Sequence, residues 1–331
     1  MGKIKENRDY SDRDLDTILE IVRGLTKYVG QNLEKEKPGP TVYTGAYGDY
    51  KRRVDKLANS LVEKYLEKHS KKYTIPVVCR TEHKSKWLIF DNGKKEEIPP
   101  DNVFEGIKEG YVAIDMDEVD GTKNLQNKDR FTTAIAFEPE QPNMKGLICS
   151  SVYRWSGEEY YFDGEKSYYY NIFTKESGEL PKAERIDKID NTIKIKGCFI
   201  APYLWMWNII ADEIIDAFDL NEKEMPCFCS TGATTEDLLS TVLDRSIAID
   251  PRALDHKAQR KPYAHDIAPP ASIVLPLGVD IRDFDLRKFN IDLVSPNISI
   301  PYCAIPQGKI GKKILELLPN IKKRIEEITN K

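Results

Sequence analysis

Tyr111-Val112-Ala113-Ile114-Asp115-Met116-Asp117-Glu118-Val119-Asp120-Gly121-Thr122-Lys123-Asn124 is an apolar run that turns into carboxylates and then into Gly-Thr. We read a strand over Tyr111–Met116 with acids crowding where it ends. Packing Asp117 and Asp120 together in a dry site sets two like charges against each other, so the cluster asks for a divalent cation. Oxygen-only donors select magnesium, with manganese as the alternative. Gly121 lets backbone approach a ligand closely, and Thr122 stands where a following helix would start, with amide N–H groups to offer a phosphate. From these residues alone the competing and commoner reading is a helix N-cap followed by a solvated loop.

Upstream, Leu15, Ile18, Leu19, Val22, Leu25, Val29 and Leu33 share one helical face, and so do Val54, Leu57, Leu61, Val62, Tyr65 and Leu66. Thr44-Gly45-Ala46-Tyr47-Gly48-Asp49 separates the two as a loop. Short β-type runs follow at Thr74–Cys79, Trp87–Phe90, Tyr111–Met116, Thr132–Phe137, Leu147–Tyr153 and Glu159–Phe162. Asp91-Asn92-Gly93 predicts a tight turn, making Lys86–Ile98 a surface hairpin. Beyond a polar stretch at Lys175–Lys188, strands at Thr192–Ile200 and Ser246–Ile249 alternate with helical patterns at Met206–Phe218 and Thr235–Leu243. Alternation of that kind predicts an α/β lobe. The final helical pattern, Ile310–Ile328, is expected to break at Pro319.

The chain of 331 residues is 40% hydrophobic and 31% charged, enough to bury a large core, and two lobes are expected over 1–180 and 181–331. Fifty basic residues stand against 54 acidic ones, for a net charge of −4, with no block of like charge at either end. Nucleic acid and membrane surfaces are therefore not expected as partners. A polar Met1–Tyr10 without an apolar signal core points to a cytoplasmic protein. The six cysteines, Cys79, Cys149, Cys198, Cys227, Cys229 and Cys303, are read as reduced. Cys227 and Cys229 lack a second pair at zinc-site spacing and are read as alternate positions of a strand.

Asp117-Glu118-Val119-Asp120-Gly121-Thr122 resembles the Asp-Pro-Ile/Leu-Asp-Gly-Thr signature of the inositol monophosphatase and fructose-1,6-bisphosphatase superfamily, likewise preceded by an apolar strand. Val77-Val78-Cys79-Arg80-Thr81-Glu82 resembles the strand ending in that family's metal-binding glutamate. Gly45-Ala46-Tyr47-Gly48 with Arg53-Val54-Asp55-Lys56-Leu57-Ala58 resembles the Gly-Ala-Asp-Gly and Ile-Asp segments of its dual-specificity members, and His265-Asp266-Ile267-Ala268-Pro269-Pro270 resembles its Trp-Asp-x-Ala-Ala/Gly motif. The four motifs occur in the family's order, from Gly45 to Pro270.

The resemblance implies a layered α/β/α/β/α sandwich, an α+β lobe followed by an α/β lobe, and a magnesium-dependent phosphatase of a small polyol or sugar phosphate. Inositol monophosphate and fructose-1,6-bisphosphate are the implied substrates. A 3′,5′-bisphosphate nucleotidase is the alternative inside the superfamily, and a non-catalytic binding relative the alternative outside enzyme chemistry. Glu82, Asp117 and the Val119 carbonyl would hold one ion and Asp117, Asp120 and Asp266 a second, with a weaker third near Glu82. The ions would activate a water that attacks phosphorus in line. Thr122, hydrogen-bonded to Asp55, would orient and deprotonate that water, while the amides of Gly121 and Thr122 grip the phosphate. Gly232, Ala233 and Thr234 resemble a turn lining the family's sugar pocket, and Asp250 stands roughly where an acid accepts substrate hydroxyls. A homodimer is expected because relatives commonly form one.

Four places depart from the family pattern. Glu118 replaces a proline, adds a carboxylate next to the metals and is read as facing solvent, against a part in tuning metal affinity. His265 replaces tryptophan and is read as a packed residue. Pro269-Pro270 replace Ala-Gly and are placed in the first turn of a helix, where proline is tolerated. His83–Gly110 and Pro251–Ala264 are longer than in compact members, the second being basic through Arg252, Lys257, Arg260 and Lys261. That basic segment is read as a solvated loop, against a site for an extra substrate phosphate.

Overall fold

The computed structural model describes residues 11–35, 47–73, 75–81, 87–98, 110–120, 130–197, 203–230, 233–258, 261–294 and 298–330. Helix α1 (Asp12–Glu34) opens on a capping box in which the Ser11 side chain accepts from the Asp14 amide at 3.2 Å and the Asp14 carboxylate accepts from the Ser11 amide at 3.1 Å. Its apolar stripe, Ile18, Val22, Leu25, Val29 and Leu33, is buried, as the spacing predicts. Helix α2 (Tyr47–Ser70) begins earlier than its apolar face does. Tyr47, Gly48 and Asp49, read from sequence as loop, belong to its first turn; Thr44–Ala46 lie outside the described residues.

Among the described residues nine strands form the first sheet: β1 (Val77–Thr81), β2 (Trp87–Asp91), β3 (Lys94–Ile98), β4 (Val112–Asp120), β5 (Phe131–Phe137), β6 (Leu147–Arg154), β7 (Glu158–Phe162), β8 (Ser167–Asn171) and β9 (Ser177–Glu179). Their spatial order is β3-β2-β1-β4-β5-β6-β7-β8-β9, with only β1 and β4 parallel. Asn92 and Gly93 take φ of 48° and 73° in the two-residue turn between β2 and β3, the left-handed pair that a tight hairpin needs. The hairpin is less superficial than expected, because Trp87 and Phe90 are buried while β3 forms the exposed edge. The polar stretch after Lys175 begins by contributing β9.

Helix α3 (Leu204–Phe218) and helix α4 (Thr234–Leu243) flank the second sheet, as does helix α6 (Lys309–Thr329), while helix α5 (Ala264–Val274) lies between the sheets. The strands of that sheet are β10 (Lys194–Lys196), β11 (Cys227–Cys229), β12 (Ser246–Asp250), β13 (Val279–Arg282) and β14 (Tyr302–Pro306), in the order β11-β10-β12-β14-β13. β10 runs parallel to both neighbours, and β14 antiparallel to β12 and β13. Helix α6 is not broken at Pro319. Ile314, Leu318, Ile321 and Ile325 stay on one buried face across the proline, and burying four isoleucine or leucine side chains, each worth about 1.5–3 kcal/mol, outweighs the cost of one missing helical hydrogen bond.

Three cores separate five layers. One, built from α1, α2 and one face of the first sheet, holds Leu25, Val62, Ile114 and Met116. The second lies between the sheets and holds Ala113, Ile135, Leu238, Ile267, Ala271 and Tyr302 from the first sheet, α4, α5 and the second sheet. The third packs α3 and α6 on the far face of the second sheet through Trp207, Ile210, Ile249 and Ile314. The result is the α/β/α/β/α sandwich expected. Every residue of β4 is buried, as a central strand covered on both faces requires. Among the described residues no helix is long and apolar enough to cross a membrane.

Candidate metal centre

Alternation along β4 sorts its side chains. Val112, Ile114 and Met116 join the core under α1 and α2, whereas Ala113 joins the core shared with α4 and α5. Continued strictly, that period of two would send Asp117 and Asp120, three residues apart, to opposite faces. The ladder with β5 prevents this. Asp117 pairs with Thr133 and Asp120 with Phe131, so a step of three on β4 spans a step of two on β5, which is one extra residue in a β-bulge. Val119 accordingly drops into the core under α1 and α2, and both aspartates turn toward α5.

Helix α5 brings the third acid. Tyr263 is its N-cap, and the Asp266 carboxylate accepts from the Tyr263 amide at 2.7 Å. One oxygen each of Asp117, Asp120 and Asp266 lies within 4.8 Å of the others. Asp117 and Asp120 are 2% and 8% exposed, and the Asp266 side chain 17%. At that spacing each pair of ionised carboxylates repels by at least about 3 kcal/mol at an effective dielectric of 20. Backbone donors offset part of this. The Val119 amide donates to Asp117 at 2.8 Å, and the Thr235 amide, in the first turn of α4, donates to Asp120 at 2.8 Å. Two helix N-termini therefore converge on the cluster, adding positive potential.

A hard divalent cation fits this donor set: carboxylate oxygens from three positions, two buried and the third partly exposed, already oriented by amides. The surroundings agree. Thr235 Oγ1 and both ring nitrogens of His265 are buried with no hydrogen-bond partner among the described residues, and His265 Nε2 stands 3.7 Å from Asp266 Oδ1, so polar groups beside the cluster are left for a hydrated ion to satisfy.

The motif carrying Asp266 departs from expectation in one respect. Pro269 and Pro270 sit in the interior of α5 rather than in its first turn. The amide missing at Pro269 would have bonded the His265 carbonyl, and Thr133 Oγ1 approaches that carbonyl instead at 3.5 Å. Thr133 is the ladder partner of Asp117, so the same threonine ties β5 to the helix that carries Asp266.

No family model and no curated protein matches the chain. Solved structures do. The chain is similar to Leishmania major fructose-1,6-bisphosphatase in its apo form, with a TM-score of 0.64 at 14% identity, covering 96% of this chain and 97% of that one. It is also similar to Mycobacterium tuberculosis SuhB, with a TM-score of 0.59 at 12% identity over 95% and 98% of the two chains. A Thermotoga maritima IMPase gives 0.57 at 14% identity over 94% and 99%. The chain shares its fold with these solved structures along nearly its whole length.

Of the positions that the superfamily resemblance singles out, the structure gathers Asp117, Asp120 and Asp266, with Val119 between the first two. Ala233 and Thr234 stand at the N-terminus of α4, next to the amide that holds Asp120. Asp250 ends β12, 1% exposed, and its carboxylate is bound by Arg252 through Nε at 2.9 Å and a terminal nitrogen at 2.5 Å. Asp55 stands in α2, with its side chain outside what is described, and Glu82, Gly121, Thr122 and Gly232 lie outside the described residues.

Two readings of the flanking residues change. Glu118 does not face solvent. It is 1% exposed, as every residue of a strand covered on both faces must be. The basic segment Pro251–Ala264 is partly committed to structure, Arg252 to Asp250 and Lys257 Nζ to the Thr329 carbonyl at 3.3 Å; Arg260 lies outside the described residues. His265 is packed as read, 3% exposed with its ring 5.7 Å from that of Tyr263.

Sequence reasoning missed the orienting groups. The amides of Thr235 and Tyr263 carry no side-chain signature. Tyr302 is also new: wholly buried opposite Asp250, its hydroxyl is pushed well above its ordinary pKa by burial and by the charges of Asp250 and Asp237. Arg80 carries no sign in the sequence beyond its place in a strand. It pairs with Asp115 through Nε at 3.0 Å and a terminal nitrogen at 2.7 Å, donates to the Leu293 carbonyl at 3.0 Å, and also reaches the Val294 carbonyl. This pair, 2% and 0% exposed, binds β1 to β4 two residues before Asp117.

Proposed function

We propose that the protein is a magnesium-dependent phosphatase acting on a phosphomonoester of a small polyol or sugar, with inositol monophosphate and fructose-1,6-bisphosphate as the substrate candidates. The observation that carries this reading is the convergence of Asp117, Asp120 and Asp266, from a bulged strand and a helix start, in one largely buried cluster. The superfamily fold, and the phosphatases among the solved structures it resembles, support it.

Asp117, Asp120 and Asp266 hold the cation, and the amides of Val119, Thr235 and Tyr263 fix the direction in which each carboxylate presents its lone pairs. Magnesium, when bound, supplies positive charge where the phosphoryl oxygens gain negative charge. Glu82 completes the set. The parallel register of β1 and β4 supports this, because it ends with Thr81 opposite Met116, the residues that precede Glu82 and Asp117 in sequence. Gly121 and Thr122 present amides to the phosphate, and Thr122, backed by Asp55, orients the attacking water and accepts its proton. Gly232, Ala233 and Thr234 line the alcohol side. Asp250 accepts substrate hydroxyls only through lone pairs that Arg252 leaves open.

Phosphate release from myo-inositol 1-phosphate, fructose 1,6-bisphosphate and adenosine 3′,5′-bisphosphate, with and without magnesium, tests the reading. Magnesium-dependent release from inositol phosphate or fructose bisphosphate, abolished by a chelator, is expected. Release from the nucleotide alone would move the substrate to the nucleotidase class, and no release from any of them contradicts the assignment.

A further inference from the structure

Cys227 and Cys229 are the two ends of β11, an edge strand of the second sheet that among the described residues pairs on one side only, with β10. Alternate positions on a strand share a face. Phe228 between them packs toward the core under α3 and α6, which leaves both thiols on the opposite side. Cys227 is exposed and Cys229 half-buried, whereas Cys79, Cys149 and Cys303 are buried. The ladder sets Lys194 opposite Cys227 and Lys196 opposite Cys229, so two cations share the face of the thiols. Burial first, and then the neighbouring Cys227 thiol, hold the Cys229 thiol above its ordinary pKa.

We propose that Cys227 and Cys229 are a thiol-modification site that closes reversibly into an intrachain disulfide by exchange with a small disulfide such as oxidised glutathione. The Cys227 thiolate, the more accessible, attacks one sulfur of the reagent. The reagent's S–S bond breaks and one glutathione leaves as thiolate. The Cys229 thiolate then attacks Cys227 Sγ, the new S–S bond forms, and the second glutathione leaves. Two electrons pass from the cysteine pair to the reagent, and the two cysteine protons end on the two released thiols.

Strand geometry decides the character of this bond. Two residues of extended chain span about 6.6 Å between α-carbons, at the upper limit of what a disulfide bridges. Closure therefore puckers β11, and a strained disulfide is readily reduced. The strand is three residues long and bonded on one edge, so the pucker costs little. From Cys229 the chain runs to Ala233 and the first turn of α4, whose Thr235 amide holds Asp120. The exchange thus acts on the segment that enters the metal centre.

The test incubates the full-length protein with oxidised glutathione, blocks remaining thiols with iodoacetamide and maps the peptides by mass. The peptide holding both residues is expected unalkylated and lighter by two hydrogens, reverting on treatment with dithiothreitol. Cys227→Ser and Cys229→Ser should each instead retain one glutathione on the remaining cysteine. Glutathione persisting on the wild-type pair, linkage of either residue to another cysteine, or two freely alkylated thiols after treatment would each overturn the proposal.

Discussion

Asp120→Asn is expected to lower magnesium-dependent phosphate release by about 1,000-fold, equivalent to about 4 kcal/mol of transition-state stabilisation, without unfolding the protein. The substitution keeps the shape of the side chain, and its amide oxygen can still accept from the Thr235 amide that now bonds Asp120. The bulge and the packing of α4 are therefore preserved. What disappears is one negative charge of three held within 4.8 Å. In metal-free protein that loss relieves repulsion, so the thermal midpoint should stay level or rise. Magnesium should then raise it less than in the wild type, because ligand-linked stabilisation scales with affinity. Turnover within a few-fold of wild type would refute the role of Asp120.

Asp115→Ala is expected to have the opposite profile, costing about 3–5 kcal/mol of stability, measured as a lower urea midpoint. The Arg80 guanidinium, 2% exposed, would lose its only described carboxylate and stay buried with two carbonyls for partners. Arg80→Met with Asp115→Leu should recover most of that loss, since apolar groups of similar volume replace a buried pair at little cost. Recovery stays incomplete because the Leu293 and Val294 carbonyls lose their donor, at about 1–3 kcal/mol for an unsatisfied buried group. An unchanged midpoint for the single variant would contradict the burial of this pair.

Amphipathic periodicity was legible wherever one period held throughout an element. Helix α1 follows its apolar stripe, and the Asn92-Gly93 turn adopts the left-handed conformations that its residues favour. The site residues were legible as a motif but not as a geometry. Two aspartates three apart cannot share a face of a regular strand, so the sequence placed them after the strand's end. The structure keeps them in β4 and changes the parity with a bulge, and one-residue insertions of that kind leave no compositional trace. Pro319 reads as a break because proline removes a helical donor, and Pro269-Pro270 read as a first turn, where that donor is not needed. They are tolerated here by long-range circumstances: the continuous buried face of α6 and the approach of Thr133 to the freed His265 carbonyl. Glu118 reads as a surface charge, and the pairing of Arg80 leaves no mark in its strand motif, since the burial of both depends on layers contributed by distant parts of the chain.

Crystals soaked in manganese and measured at an anomalous wavelength probe the cluster itself, apart from any substrate. A strong anomalous peak bonded to oxygens of Asp117, Asp120 and Asp266 is expected in the wild-type protein, diminished or lost in Asp120→Asn. A map with no peak there, or with manganese bound elsewhere and these carboxylates unliganded, would contradict the metal centre.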